Sequence, residues 1–318
     1  MPEDVPTGRI ADRLAGFDDH WRALQPKLRT LHSRRMTALV AVEMILATGL
    51  ALTLAAPLMM EGRNGGLPLQ LAIPLAIAAA AMLVAGGIYV ARRQASAAGW
   101  RVKLMVVGFF GLGYRPDASS FPLDSFTRSG LLPYHSQSRL EDLVYGEVAG
   151  VPLVFCDASL RRWSGSKLLQ VPVFRGPLLI SRYPKRAHGW TVVVPSGGPI
   201  GNFFEGVRLE SRRARLESPD FERAFAVYTT DQVEARYLLT PTMMERLLAL
   251  KARFPGDLSL AFEGHELLLA LDDRRDWFPD PGLLQDLTDP AQVRVQAEEI
   301  ARLGEIVEIL KLNLESRA

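Results

Sequence analysis

Two apolar runs near the start of this 318-residue chain limit what it can fold into more than any other feature. Residues 36–60 read MTALVAVEMILATGLALTLAAPLMM, with Glu43 as the single charge, and residues 67–91 read LPLQLAIPLAIAAAAMLVAGGIYVA with none. At about 1.5 Å per residue, either run as a helix exceeds a hydrocarbon core of about 30 Å. A polar segment, residues 1–35, precedes the first run, which is not the layout of a cleavable signal peptide. Both runs are therefore expected to be transmembrane helices, joined by a short external loop at 61–66. Arg34 and Arg35 stand before the first and Arg92 and Arg93 after the second, whereas the loop carries one acid and one base. The positive-inside rule then puts both termini in the cytoplasm, and the expectation is a multi-pass protein of a bacterial inner (plasma) membrane.

A six-residue loop obliges the helices to lie side by side, and Ala72, Ala76 and Ala80 give the second a line of small residues for close approach. Pro74 falls near the outer end, where a lost backbone donor costs least. Glu43 is the intramembrane polar group. It serves proton or ion handling in an oligomer, or it stays neutral or reaches toward the interface.

The segments outside the spans have their own patterns. Residues 1–35 form a cytoplasmic amphipathic segment, with Phe17, Trp21, Leu24, Leu28 and Leu31 on one helical face interrupted by Pro26. Residues 92–135 are expected to be a juxtamembrane helix and linker, and residues 136–318 a cytoplasmic α+β domain. From Glu141 the period changes to two, with a hairpin at Ala149-Gly150 and a bulge or bend at Gly176-Pro177. WTVVVP reads as a separate strand, FERAFAVYTTD as a strand running into a turn and DQVEARYLL as a short helix. Thr240 and Pro241 open a further helix, and Gly264 joins two last strands, DLSLAFE and ELLLALD. Ile300, Leu303, Val307, Leu310 and Leu314 mark a C-terminal amphipathic helix. The fold class is thus α+β: a two-helix transmembrane hairpin, a mostly antiparallel β domain, and a final helix.

Catalytic signatures are absent from the sequence: there is no His-Glu-x-x-His, Cys-x-x-Cys, Walker A loop or Gly-x-Ser-x-Gly. No catalytic residue, metal ligand or cofactor is assigned. A formal charge of +2 does not suit a nucleic-acid binder. Cys156, the single cysteine, sits in Val-Phe-Cys and reads as a buried, inert thiol. The loop from Pro195 to Asn202 could offer amides to a phosphate but is read as an ordinary loop. Asp272, Asp273, Asp276 and Asp280 do not have EF-hand spacing and are read as a solvated, self-paired turn. Charge is the strongest remaining signal. Residues 156–190 carry Arg161, Arg162, Lys167, Arg175, Arg182, Lys185 and Arg186 against Asp157, a net +6, whereas residues 272–318 are net −5. Those seven cations are the candidate binding residues, facing an anionic leaflet or neutralising the acidic region locally. Arg175 is expected to hold a buried acid, with Glu234 as the candidate.

The segments VFRGPLLISRYPKR and FERAFAVYTTDQVEARYLLTPTMMERLLAL resemble the bacterial membrane family catalogued as domain of unknown function 3137, over most of residues 94–318. Phe-Arg-Gly at 174–176 and the run from Val227 to Pro241 carry the resemblance most specifically. It implies an inner-membrane protein with a cytoplasmic domain and brings no activity with it. A strand-rich body ending in a helix is also compatible with a pleckstrin-homology-like barrel, although the helices at 231–253 interrupt that pattern. The reading is a membrane-anchored, non-enzymatic binding or scaffold protein. Its expected partners are the lipid bilayer, anionic lipid, and a protein partner or a second copy. The alternatives are a membrane enzyme without a recognisable motif and an oligomeric transport subunit using Glu43.

Overall fold

The computed structural model describes residues 14–60, 69–165, 169–197, 212–280, 282 and 285–310. By their internal contacts these fall into two compact units. One comprises Lys103–Pro279 with Met1–Asp18 and Arg294–Ala318; the other comprises Asp19–Val102 with Asp280–Val293.

The second unit is built on two long helices, α1 (Phe17–Met60) and α2 (Leu69–Phe109). Neither stops where composition changes: α1 runs through Pro26 and on through the apolar run, and α2 continues past Arg93. The separate juxtamembrane helix expected after residue 91 is therefore the last part of α2. On α1 the less exposed positions are Leu39, Val42, Leu46, Gly49 and Thr53; on α2 they are Ala76, Ala80, Leu83, Gly87 and Ala91. These steps of three and four make two facing stripes. A Cβ on Gly49 would stand 2.9 Å from a Leu83 methyl, and one on Gly87 would overlap Leu46. The two helices approach closely at these two glycines; Ala76 and Ala80 are among the less exposed positions of α2, and the side chain of Ala72 lies outside the described residues. Pro74 lies inside α2.

The N-terminal part of α1 is held by the segment that follows Asp280. Gln25 Nε2 donates to Thr288 O at 3.3 Å, His32 Nδ1 accepts from Leu287 N at 3.4 Å, and Arg35 donates to the carbonyls of Gly282 and Gln285.

The first unit is a mixed α+β body around one antiparallel sheet. Its elements are β1 (Gly113–Asp117), α3 (Leu123–Arg128), β2 (Gln137–Val148), β3 (Val151–Trp163), β4 (Gln170–Pro195), β5 (Arg212–Ala214), α4 (Pro219–Ala224), β6 (Phe225–Thr229), α5 (Gln232–Leu238), α6 (Pro241–Arg253), β7 (Asp257–Asp272) and α7 (Pro290–Leu310). The strand order is β1-β2-β3-β4-β6-β5, with β7 also on β4. Among the described residues no pairing joins β1 to β5, so the sheet is open there.

Three expected features took another form. β4 is one strand of 26 residues where two were expected, and β7 runs through Gly264 where two strands joined at that glycine were expected. The cause is mutual: β7 pairs with β4 on both sides of a bend, and Ala187 opposite Gly264 lies between the two register shifts. Gly264, at φ +58°, lets β7 turn there without ending. FERA is helical rather than extended, because Ser218 caps Phe221 N at 3.3 Å and Pro219 occupies the first turn. The Ala149-Gly150 hairpin is as expected, with both residues at positive φ, which suits the twist of a two-residue turn.

The sheet's core is covered on both faces. Cys156, Ala158 and Leu160 of β3 with Phe174, Leu178 and Ile180 of β4 pack with Phe121, Phe126 and Leu131. On the other face, Phe155 meets Trp277 and Phe278 at ring-centroid distances of 6.0 and 5.6 Å. Arg253 of α6 pairs with Glu305 of α7 at 2.6 Å, and Arg246 donates to Leu310 O at 3.2 Å.

Candidate functional site

The charged side chains that sequence singled out do not gather in one place. Arg161 and Arg162 are exposed at the far end of β3, and Arg182 and Arg186 are exposed near the bend of β4. Arg161 pairs in register with Pro172, ten residues of strand before Arg182, a separation of about 33 Å at about 3.3 Å per residue. Lys167 lies outside the described residues. Lys185 is half-buried, its ammonium 4.3 Å from the Tyr237 ring centre and donating to Tyr237 O. Arg175 does hold an acid, but it is Asp276 at 2.8 Å rather than Glu234. The net +6 of residues 156–190 is thus a property of the sequence and not of one face. Of the residues flanking the apolar runs, Arg34 and Arg93 are exposed, Arg35 is buried against carbonyls, and the side chain of Arg92 lies outside the described residues. Glu43 is exposed on the outer surface of α1.

Two buried acids that the sequence reading passed over lie at the centre of the first unit. A register shift in β2 between Glu141 and Val144 puts Asp142 at φ +56°, and this bulge directs its carboxylate inward. There it accepts from Lys103 Nζ at 2.9 and 3.1 Å and from the Tyr114 hydroxyl at 2.5 Å, all three side chains being buried. Asp157, on β3, has one carboxylate oxygen 3.4 Å from Trp277 N and the other without a hydrogen-bond partner among the described residues. Burial pushes its pKa up to about 8, aided by the nearby charges of Asp276 and Asp142 and opposed by the Trp277 amide and Arg175. Asp157 therefore keeps its proton to higher pH than an ordinary aspartate. Cys156 is buried, as expected, and burial drives its thiol upward.

The Phe174–Gly176 motif lies over this network. Arg175 N donates to Asp272 at 3.1 Å, and Arg274 N donates to Arg175 O at 3.0 Å. Gly176 sits at φ +148°, and a Cβ there would overlap Leu271 O. The turn after β7 is self-paired, as expected: Asp272 meets Arg274 at 3.0 Å, and Asp273 meets both Arg275 at 2.8 Å and Trp277 Nε1 at 2.9 Å. It is not fully solvated, since the Asp273 side chain is 1% exposed. The described residues contain no group of three or more His, Cys, Asp or Glu placed to hold a metal ion.

The second motif, Val227–Pro241, is a clamp on the bend of β4. Asp231 caps α5 by accepting from Val233 N at 2.8 Å. Glu234, buried, accepts from the backbone amides of His188 and Gly189, the latter at 2.7 Å. Leu238 O accepts from the Tyr183 hydroxyl at 2.9 Å, and Thr240 caps α6 at 3.3 Å. These residues position backbone rather than substrate. Cavities of about 360, 470 and 540 Å³ open elsewhere in this unit, the first beside Arg182 and His265, and Asp157 lines none of the three.

Comparison with known proteins agrees with the resemblance and adds no activity. The family model described as protein of unknown function (DUF3137) matches residues 172–312, a span that includes both motifs. No curated protein matches the chain. Among solved structures, the mycobacterial trehalose monomycolate transport factor A, TtfA, is similar at 10% identity over 66% of this chain and 94% of that one, with a TM-score of 0.34. A TM-score that low does not establish a common fold.

Proposed function

We propose that this is a membrane-anchored, non-enzymatic binding or scaffold protein of a bacterial inner membrane, whose cytoplasmic α+β domain engages a protein partner. The observation that carries the anchor is the outer surface of the helix pair. Val40, Met44 and Ile45 on α1 and Leu75, Ile77, Met82 and Ile88 on α2 are 46–76% exposed, a surface that suits lipid and is costly in water. The stretch Ile73–Phe109 is long and apolar enough to cross a membrane. With 36–60 and 67–91 as the spans, the arginines beside them favour a topology with both termini in the cytoplasm.

For the domain, a protein partner is favoured over the anionic leaflet because the exposed arginines are spread along β3 and β4 instead of making one basic face. A pleckstrin-homology-like body has support in the strand-rich sheet ending in a helix, and against it stands the open strand path. The two buried acids fit a binding domain as interior determinants of its fold.

The test is brief cross-linking in cells, gentle solubilisation, and capture of the full-length protein beside a helix-only control lacking residues 94–318. A partner recovered in near-stoichiometric yield only with the domain supports the scaffold reading. Its absence overturns that reading and directs attention to lipid binding by the domain.

A further inference from the structure

Resting on the membrane reading above, we infer that the tip of the β3–β4 hairpin seats in the headgroup layer of an anionic leaflet, with Arg161 and Arg162 on lipid phosphates and Trp163 and Leu169 further in. The tip stands clear of the sheet. β2 pairs with β3 only as far as Gln137 opposite Arg161, and the β7 ladder on β4 begins no nearer this end than Leu178. At Arg162 and Trp163, paired with Val171 and Gln170, the described sheet is two strands wide. Ser164 N donates to Leu169 O at 2.7 Å and closes the ribbon beyond them.

The side chains there are not those of a solvated turn. Arg161, Arg162 and Trp163 are exposed in succession, so both faces of the ribbon lie open. Trp163 and Leu169 are 48% and 70% exposed. Tyr134, 76% exposed, lies two residues before Ser136, whose amide donates to Arg161 O at 2.8 Å. No aspartate or glutamate occurs from Ser129 to Leu140 or from Ala158 to Phe204, so the hairpin brings no acid of its own to neutralise the two arginines.

The leaflet is the occupant because charge and order along the ribbon match the depth profile of anionic lipid. Leu169 and Trp163 lie at the end, with the arginines one and two residues behind Trp163, about 3 and 7 Å at about 3.3 Å per residue. Tryptophan and tyrosine rings settle at headgroup level, and cations beside them meet the negative surface. A protein partner would need a pocket shaped to a protruding ribbon, whereas a fluid leaflet takes its shape. The contact is confined to this tip. Arg182 and Arg186 lie elsewhere on β4, and the rest of the domain stays available to a protein partner.

The experiment places a fluorescent label on single cysteines of the full-length Cys156→Ala protein in nanodiscs, with nitroxide-headgroup lipid as quencher. Discs of phosphatidylcholine are compared with discs of phosphatidylcholine and phosphatidylglycerol in equal parts. At Leu169→Cys, quenching at least twofold greater in the anionic discs is expected, whereas Val233→Cys, 74% exposed on α5, should not distinguish the two. Arg161→Glu with Arg162→Glu should remove the difference, and Arg161→Lys with Arg162→Lys should keep it. Equal quenching at Leu169→Cys in both discs, or indifference to Arg161→Glu with Arg162→Glu, overturns the contact and leaves the tip to a protein partner. An alkaline carbonate wash of native membranes separates this inference from the anchor. Release of the full-length protein overturns the anchor and the contact with it, whereas retention without the anionic quenching overturns the contact alone.

Discussion

The helix pair and the sheet domain solve opposite packing problems. Between α1 and α2 the contacts are made by small residues, with Gly49 and Gly87 receiving Leu83 and Leu46 while bulky side chains point outward. In the sheet domain the bulky side chains point inward, and the centre also holds Asp142, Asp157 and Lys103. Where lipid is the solvent, burial of apolar surface adds nothing, and shape decides the packing. Where water is the solvent, apolar burial is plentiful, and buried charge restricts which arrangement forms. On the proposed membrane reading one chain follows two rules, and substitutions that break one should leave the other intact.

The largest effect is expected at Lys103. Lys103→Met leaves Asp142 buried without its cation and should cost about 3–5 kcal/mol in the melting of the domain. Full-length protein in mild detergent, followed by near-ultraviolet circular dichroism, reports it; an unchanged midpoint would show that the buried pair does not specify the fold. Gly176→Ala comes next, since it adds a Cβ against Leu271 O at a φ that L-residues avoid, with a loss of about 3 kcal/mol. In the helix pair, Gly87→Ile forces α2 away from Leu46 and should cost about 2 kcal/mol by overpacking. Its effect should appear as altered helix-to-helix cross-linking with the domain's melting unchanged. Loss of both together would contradict the division into two regimes.

Asp157 sharpens the comparison through pH. Its pKa lies near 8 in the folded chain and near 3.8 as an ordinary aspartate, so between those values the folded state binds more protons than the unfolded. Stability from this group is fully present below about pH 4 and declines as pH rises toward 8. Asp157→Asn should flatten that decline and raise the domain's stability at pH 8 by about 2 kcal/mol. Thermal melting of wild type and variant at pH 6 and 8 checks it, and a parallel decline in both would assign the pH dependence to other groups. The smallest effect belongs to Arg161→Glu with Arg162→Glu, for which an unchanged melting point is expected. Unchanged partner capture with this pair would also remove the far end of β3 from the binding surface.

Much of this organisation is legible in the sequence because it is local. The apolar runs, the Ala149-Gly150 turn, the Thr240 cap and the buried face of Ile300, Leu303 and Val307 each depend on neighbours a few residues away. What depends on a distant strand is not legible. Gly189 and Gly264 look like breaks, yet β4 and β7 support each other through them. Asp142 lies in a run that reads as alternating strand, and only the bulge turns it toward Lys103, 39 residues earlier. Asp157 left a fainter mark, as a single acid inside the apolar strand VFCDASL. The seven cations formed one cluster in sequence because sequence distance was short, whereas β3 and β4 spread the six described ones over tens of ångströms.

The division into a lipid-solvated helix pair and a water-solvated domain is tested most directly by protease protection. Spheroplasts and inside-out membrane vesicles carrying the full-length protein would be treated with trypsin, with cleavage between residues 103 and 310 followed by mass spectrometry. The account predicts cleavage in inside-out vesicles, protection in spheroplasts, and a membrane-retained fragment containing residues 36–91. Cleavage in intact spheroplasts, or the absence of any retained fragment, would contradict it.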